Sequence, residues 1–123
     1  MRLANIDGLG EGFVAHRLDI EASELNDTAK EGFTLYNFGN DEANSGVSTC
    51  TGGCADVWPP LYAKSADQAY GSYTIIERND EANEVTYQWA YAGMPLYFFR
   101  NDTAVGEANG HNVNNFSVVT VNP

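Results

Sequence analysis

Cys50 and Cys54 stand four positions apart in the run Cys50-Thr51-Gly52-Gly53-Cys54-Ala55-Asp56-Val57-Trp58-Pro59-Pro60-Leu61. Thiols at such spacing can pair with each other, bind a metal or cycle between redox states. A zinc centre asks for about four ligands, and the chain's imidazoles, His16 and His111, lie far from the cysteines in sequence. A redox dithiol usually has two intervening residues in a βαβ context, and covalent haem asks for Cys-x-x-Cys-His. Neither pattern occurs. The choice among these chemistries turns on the compartment in which the chain works.

Oxygen donors form the second group. Asp102, Glu107 and Asn109 share one glycine-containing loop and offer the ligand types that calcium takes, although their spacing departs from an EF-hand. Asp41, Glu42 and Asn44 repeat the idea more weakly. Met94 and His111 could hold copper, or serve a haem, only where the fold brings them together. Asp41 and Asp102 also have a structural reading, because an Asp after a strand accepts amide hydrogens in the bend that follows. No Gly-x-Ser-x-Gly, His-Glu-x-x-His or phosphate-cradling glycine loop occurs, so the motifs of common hydrolases and nucleotide-binding enzymes are absent. These residues point to no catalytic centre, and no cofactor is expected unless calcium or a redox group binds.

The elements that carry them repeat. Gly32-Phe33-Thr34-Leu35-Tyr36-Asn37-Phe38-Gly39-Asn40-Asp41 returns 61 residues later as Gly93-Met94-Pro95-Leu96-Tyr97-Phe98-Phe99-Arg100-Asn101-Asp102, with six of the ten positions identical. Two related halves are therefore expected, at about residues 11–62 and 72–121 of a single domain spanning 1–123. Tyr36 and Phe38, like Tyr97 and Phe99, stand at strand spacing and read as core, with Asp41 and Asp102 in the turn beyond them. Residues 13–20 alternate as a strand whose apolar face includes His16, and 20–30 read as a loop. Segments 72–78 and 84–91 read as a hairpin, 94–99 and 115–121 as strands, and 1–10 as a loose lead-in. One helical turn is expected at Cys54–Trp58, ended by Pro59 and Pro60, with Trp58 plugging one end of the core. No span of helical length carries a 3.6-residue apolar stripe. The expected fold is all-β, an antiparallel barrel or sandwich.

Six basic residues against seventeen acidic ones give a net charge of −11 over 123 residues. That balance argues against nucleic acid, which is bound by displacing counterions with Lys and Arg, and suits a basic or cationic protein or envelope component. No stretch has the roughly 18 apolar residues that a transmembrane helix needs, and the first four residues read as too short and polar for a signal peptide. Seven Tyr, six Phe and two Trp are read mainly as core, with Trp89, Tyr91 and Phe98 as the alternative members of an exposed binding face.

Tyr-x-Phe-x-x-Asp at Tyr36, Phe38 and Asp41 and again at Tyr97, Phe99 and Asp102, together with Cys50-x-Gly-x-Cys54-Ala-x-x-Trp58-Pro59-Pro60-Leu61, resembles the secreted-repeat family of bacterial secreted proteins and lipoproteins. The likeness runs from about residue 30 to residue 119 and takes in Arg78-x-Asp80, Val85-Thr86-Tyr87 and the run from Gly93 to Tyr97. Family members usually have Gly-Asp where this chain has Gly106-Glu107, and Trp where it has Phe116. The resemblance implies a secreted or periplasmic location, often with a lipid anchor; the lipobox cysteine that would carry one is not among these residues, so an anchor lost ahead of them stays open, and the resemblance implies no known catalytic activity. In an oxidising compartment, Cys50 and Cys54 are expected as a disulfide worth roughly 2 kcal/mol. The function expected is a non-enzymatic binding or structural module at the cell envelope; the alternative is an accessory of extracytoplasmic electron transfer with a bound metal or haem.

Overall fold

The computed structural model describes residues 2–6, 9–15, 30–64, 67–69, 71–81 and 84–119. Its elements in chain order are β1 (Arg2–Ile6), β2 (Gly10–Val14), β3 (Tyr36–Phe38), α1 (Gly53–Val57), β4 (Tyr62–Ala63), β5 (Tyr73–Glu81), β6 (Glu84–Tyr91), β7 (Met94–Pro95) and β8 (Phe116–Val118). Strands β1 and β2 pair with each other, β3 pairs with β8, and β4, β6 and β5 lie side by side with β7 also on β6. Every ladder is antiparallel. Among the described residues the sheets do not close into a barrel, and the fold is an all-β, sandwich-like one with a single short helix.

The two phrases meet at the centre. Tyr36 N–H donates to Tyr97 O at 2.8 Å and Tyr97 N–H donates to Tyr36 O at 3.0 Å, so equivalent residues form one antiparallel pair. Tyr36 pairs on its other side with Val118, and Tyr97 bridges to Pro60. Each inner strand therefore takes its outer neighbour from the other half of the chain. The second phrase is regular β only at Met94–Pro95, because the outer neighbour of its later residues contains Pro59 and Pro60. Proline has no N–H to extend a ladder, so the remainder is held by isolated bonds such as Phe98 N–H to Pro59 O at 2.7 Å.

Strand periodicity puts successive side chains on opposite faces, and here both faces are buried. Leu35, Leu96 and Phe98 enter one core cluster with Ala15, Leu61, Trp89 and Val119. Tyr36, Phe38, Tyr97 and Phe99 enter the other, with Ile6, Cys50, Trp58, Phe116 and Val118. Trp89 and Phe98 are consequently core residues and Tyr91 is half-buried, which removes the exposed aromatic face as an alternative. Tyr91 packs against Phe13 and Tyr73.

The N-terminal stretch also differs from expectation. Residues 2–6 form β1, paired with β2 around a turn closed by Leu9 N–H to Ile6 O at 3.0 Å. Ile6 is buried in the Trp58 cluster, and it fits because Gly12 has no Cβ to collide with Ile6 Cδ1 and a Val118 methyl. The buried Ile6 side chain helps to tie down a segment whose Gly8 and Gly10 read as a loose lead-in. Of the strand expected over 13–20, Phe13 and Val14 are the end of β2 and Ala15 N–H donates to Phe33 O; His16 and the remainder to residue 20, with the 20–29 part of the loop, lie outside the described residues.

Candidate functional site

Beyond the central Tyr36–Tyr97 pair, the hydroxyls make a reciprocal exchange. Tyr36 OH donates to Asp102 Oδ2 at 2.6 Å, and Tyr97 OH donates to Asp41 Oδ2 at 2.5 Å. Each tyrosine thus bonds the aspartate of the opposite phrase. The local bends are closed by backbone, Asp41 N–H to Phe38 O and Asp102 N–H to Phe99 O, which leaves the carboxylates free to reach further. Asp41 Oδ1 accepts from the backbone and hydroxyl of Thr49, and Asp102 Oδ1 accepts from Asn109 N–H at 2.9 Å. Each Asp therefore clasps the loop after its own phrase and locks it to the other half.

The rings between these locks obey the same symmetry. Phe38 stacks on Phe116 at 4.2 Å and Trp58 on Phe99 at 4.3 Å. The two stacks join where Trp58 lies on Phe116, centroids 3.7 Å apart. Tyr36 meets Trp58 edge-on at 5.3 Å, as Tyr97 meets Phe116 at 5.3 Å. Trp58 and Phe116 therefore occupy equivalent places in the two halves. The opening glycines match as well: Gly32 and Gly93 have φ of 84° and 83°, a conformation that disfavours residues with a Cβ. Gly93 also lies tight against Asn44.

The electrostatics follow from burial. Desolvation, then the hydrogen bond to Asp102, raises the Tyr36 hydroxyl above its ordinary pKa of 10.0. Tyr97 is raised by burial and Asp41 in the same way. Asp102 is pushed up by burial, against the opposing pull of the Tyr36 hydroxyl and the Asn109 amide. Glu107, half-buried, is held below the usual carboxylate range chiefly by the Thr103 backbone N–H, 2.7 Å from Oε1.

The structure brings Asp102, Glu107 and Asn109 into one hydrogen-bonded loop, in which Asn109 Nδ2 also donates to Glu107 Oε1 at 3.2 Å. A calcium ion there would have to displace donors already bound to these oxygens. His111 accepts from Val118 N–H through Nδ1 at 3.1 Å, whereas Met94 belongs to β7 beside Tyr91. Cys50 and Cys54 form a disulfide, and the described residues contain no free cysteine. The disulfide joins α1 to the start of its loop, and α1 leads directly into Trp58. No cluster of three or more His, Cys, Asp or Glu suited to a metal occurs among the described residues.

A family model described as a secreted repeat of unknown function matches residues 28–62 and 82–119, more than half of the chain, as two copies. The chain belongs to the secreted-repeat family. No curated protein and no solved structure matches it. Membership puts the protein outside the cytoplasm, where the Cys50–Cys54 disulfide is chemically at home. No described helix is long and apolar enough to cross a membrane. Each matched copy contains one inner strand and the outer strand it lends to the other copy, so the secreted repeat works here as an interlocked pair.

Arg78 enters the sequence reading only as part of the Arg78-x-Asp80 match, with no site role, and the structure gives it one. Its buried guanidinium donates to Ser48 Oγ and Gln88 Oε1 through Nη1 and to Cys50 O through Nη2, each at 2.8 Å. Ser48 Oγ in turn lies 2.6 Å from the Tyr97 hydroxyl, so the cation is wired to one lock. The available signal was alternation, which puts Arg78 on the face of buried Ile76. Beside it runs an open groove of about 330 Å³ lined by Val47, Ser48, Thr51, Glu77, Arg78 and Asn79.

Proposed function

We propose that this secreted-repeat protein is a non-enzymatic binding module of the cell envelope whose repeated motif builds a rigid body and whose acidic surface meets a basic or cationic protein or envelope component. The reciprocal Tyr36–Asp102 and Tyr97–Asp41 bonds carry the reading, because they give the four most chemically suggestive residues of the motif a buried, mutually satisfied structural role. Interaction then falls to the exposed surface, where Glu11, Glu42, Asp56 and Glu77 contribute to a net charge of −11. Such a surface steers a cationic partner and does so less at high salt.

The test is a Glu42→Gln, Asp56→Asn, Glu77→Gln variant, compared with wild type for its association with the envelope fraction of the native host across a salt series. The variant should keep its Tm and release at distinctly lower salt. Identical release curves would remove the cationic partner from the proposal.

The electron-transfer reading has one structural support, the continuous ring stack Phe38–Phe116–Trp58–Phe99 with a carboxylate-bonded tyrosine edge-on at each side. A chromophore or stoichiometric copper or iron in protein from the native source would favour it. A blank visible spectrum and metal analysis would end it.

A further inference from the structure

Asn109-Gly110 is the single Asn-Gly dipeptide of the chain. Asparagine is a thermolabile residue, most so before glycine, whose lack of a Cβ gives its backbone nitrogen open access to the preceding side-chain carbonyl. Here the glycine is dictated by packing: a Cβ on Gly110 would collide with the Trp58 ring and press on Phe99. Both partners of the dipeptide are built into the second lock. Asn109 N–H donates to Asp102 Oδ1 at 2.9 Å, and Gly110 N–H, buried, donates to the Tyr36 hydroxyl at 3.2 Å. The Asn109 side chain is exposed and reaches Glu107 Oε1 and Asn101 O. In the first lock, Asp41 instead receives Thr49 N–H, and Cys50 follows. Only one of two otherwise equivalent locks contains the labile pair.

We infer that Asn109 is a deamidation site whose rate is held down by the Tyr36–Asp102 lock and whose reaction releases that lock. The Gly110 nitrogen gives up its proton to water or hydroxide and attacks Asn109 Cγ. A new C–N bond closes a succinimide, and the side-chain nitrogen leaves as ammonia. Water then opens the ring at either carbonyl, giving aspartate or isoaspartate. No oxidant or cofactor is needed. While Gly110 N–H is bonded to Tyr36, its nitrogen is held away from deprotonation and from the turn toward Cγ. After reaction, isoaspartate adds a backbone carbon between the amides that meet Asp102 and Tyr36, and either product faces Glu107 with a carboxylate in place of an NH₂ donor.

The experiment ages the full chain in mildly alkaline buffer and follows each asparagine by peptide mapping with mass spectrometry that separates aspartate from isoaspartate. Wild type, wild type in denaturing urea, Tyr36→Phe and Asn109→Gln run in parallel. Tyr36→Phe should deamidate at Asn109 about fivefold faster than folded wild type, the factor that one net hydrogen bond corresponds to, with Asn40, Asn44 and Asn112 unchanged. Urea should be faster still. Aged, deamidated wild type should melt lower than fresh protein, and Asn109→Gln aged alongside should keep its Tm. Equal rates in native and urea samples, no acceleration in Tyr36→Phe, or the same acceleration at every asparagine would overturn gating by the lock. An unchanged Tm after deamidation would overturn its release.

Discussion

A double-mutant cycle reads the exchange between the two halves directly. Tyr36→Phe removes one hydroxyl and leaves Asp102 Oδ2 without its donor and Gly110 N–H without its acceptor. A hydrogen bond to a charged group contributes about 1.5–3 kcal/mol and a buried orphaned donor costs about 1–3 kcal/mol. Part of this is recovered as water reaches the loop, so the single substitution should cost roughly 2–4 kcal/mol, a Tm fall on the order of 10 °C for a chain of this size. Tyr36→Phe and Asp102→Ala share that bond and should couple by about 1.5–3 kcal/mol, whereas Tyr36→Phe and Asp41→Ala should add to within about 0.5 kcal/mol. Urea unfolding of the four proteins in each cycle gives both couplings. Stronger coupling of Tyr36 to Asp41, its neighbour in the same phrase, than to Asp102 would refute the crossed pairing.

Further outcomes follow from single sites. Cys50→Ser should cost about 2 kcal/mol, since the disulfide closes a small ring at α1, and mass measurement after alkylation of the native protein should find neither thiol free. Gly110→Ala should destabilise by about 1–3 kcal/mol through overpacking against Trp58 and Phe99. Gly53→Ala, in α1 with open space around its Cα, should be neutral or stabilise by up to about 1 kcal/mol in urea melts. Tyr36 and Tyr97 have folded pKa values raised above the ordinary 10.0. Their contribution is therefore complete below pH 10.0 and is lost as pH rises beyond it, because the unfolded chain then releases protons that the folded chain keeps. Spectrophotometric titration should show these two tyrosines ionising together with unfolding, and a Tyr36→Phe, Tyr97→Phe protein should lose stability less steeply over the same alkaline range.

The six identities at constant offset, the period-two run of Tyr36 and Phe38, and the absence of helical stripes made the repeated all-β architecture legible before any coordinates. The helical turn before Pro59-Pro60 was readable because proline constrains the backbone locally. Arg78 and the β1 strand were not, since a buried cation or an anchoring isoleucine is justified by partners distant in the chain. Spacing likewise put Asp102, Glu107 and Asn109 in one loop, and could not say which donors their oxygens would meet.

Local rules therefore determined that each phrase is extended chain ending in a turn with an aspartate, and that the chain carries a net charge of −11. Only the tertiary structure decided which aspartate each tyrosine holds. An offset of 61 is as compatible with two halves that close on themselves as with two that exchange strands. Antiparallel pairing at Tyr36 and Tyr97 lays one phrase against the other, and each following turn brings its Asp to the opposite tyrosine. That geometry is a property of the pair, which no single stretch of the chain contains.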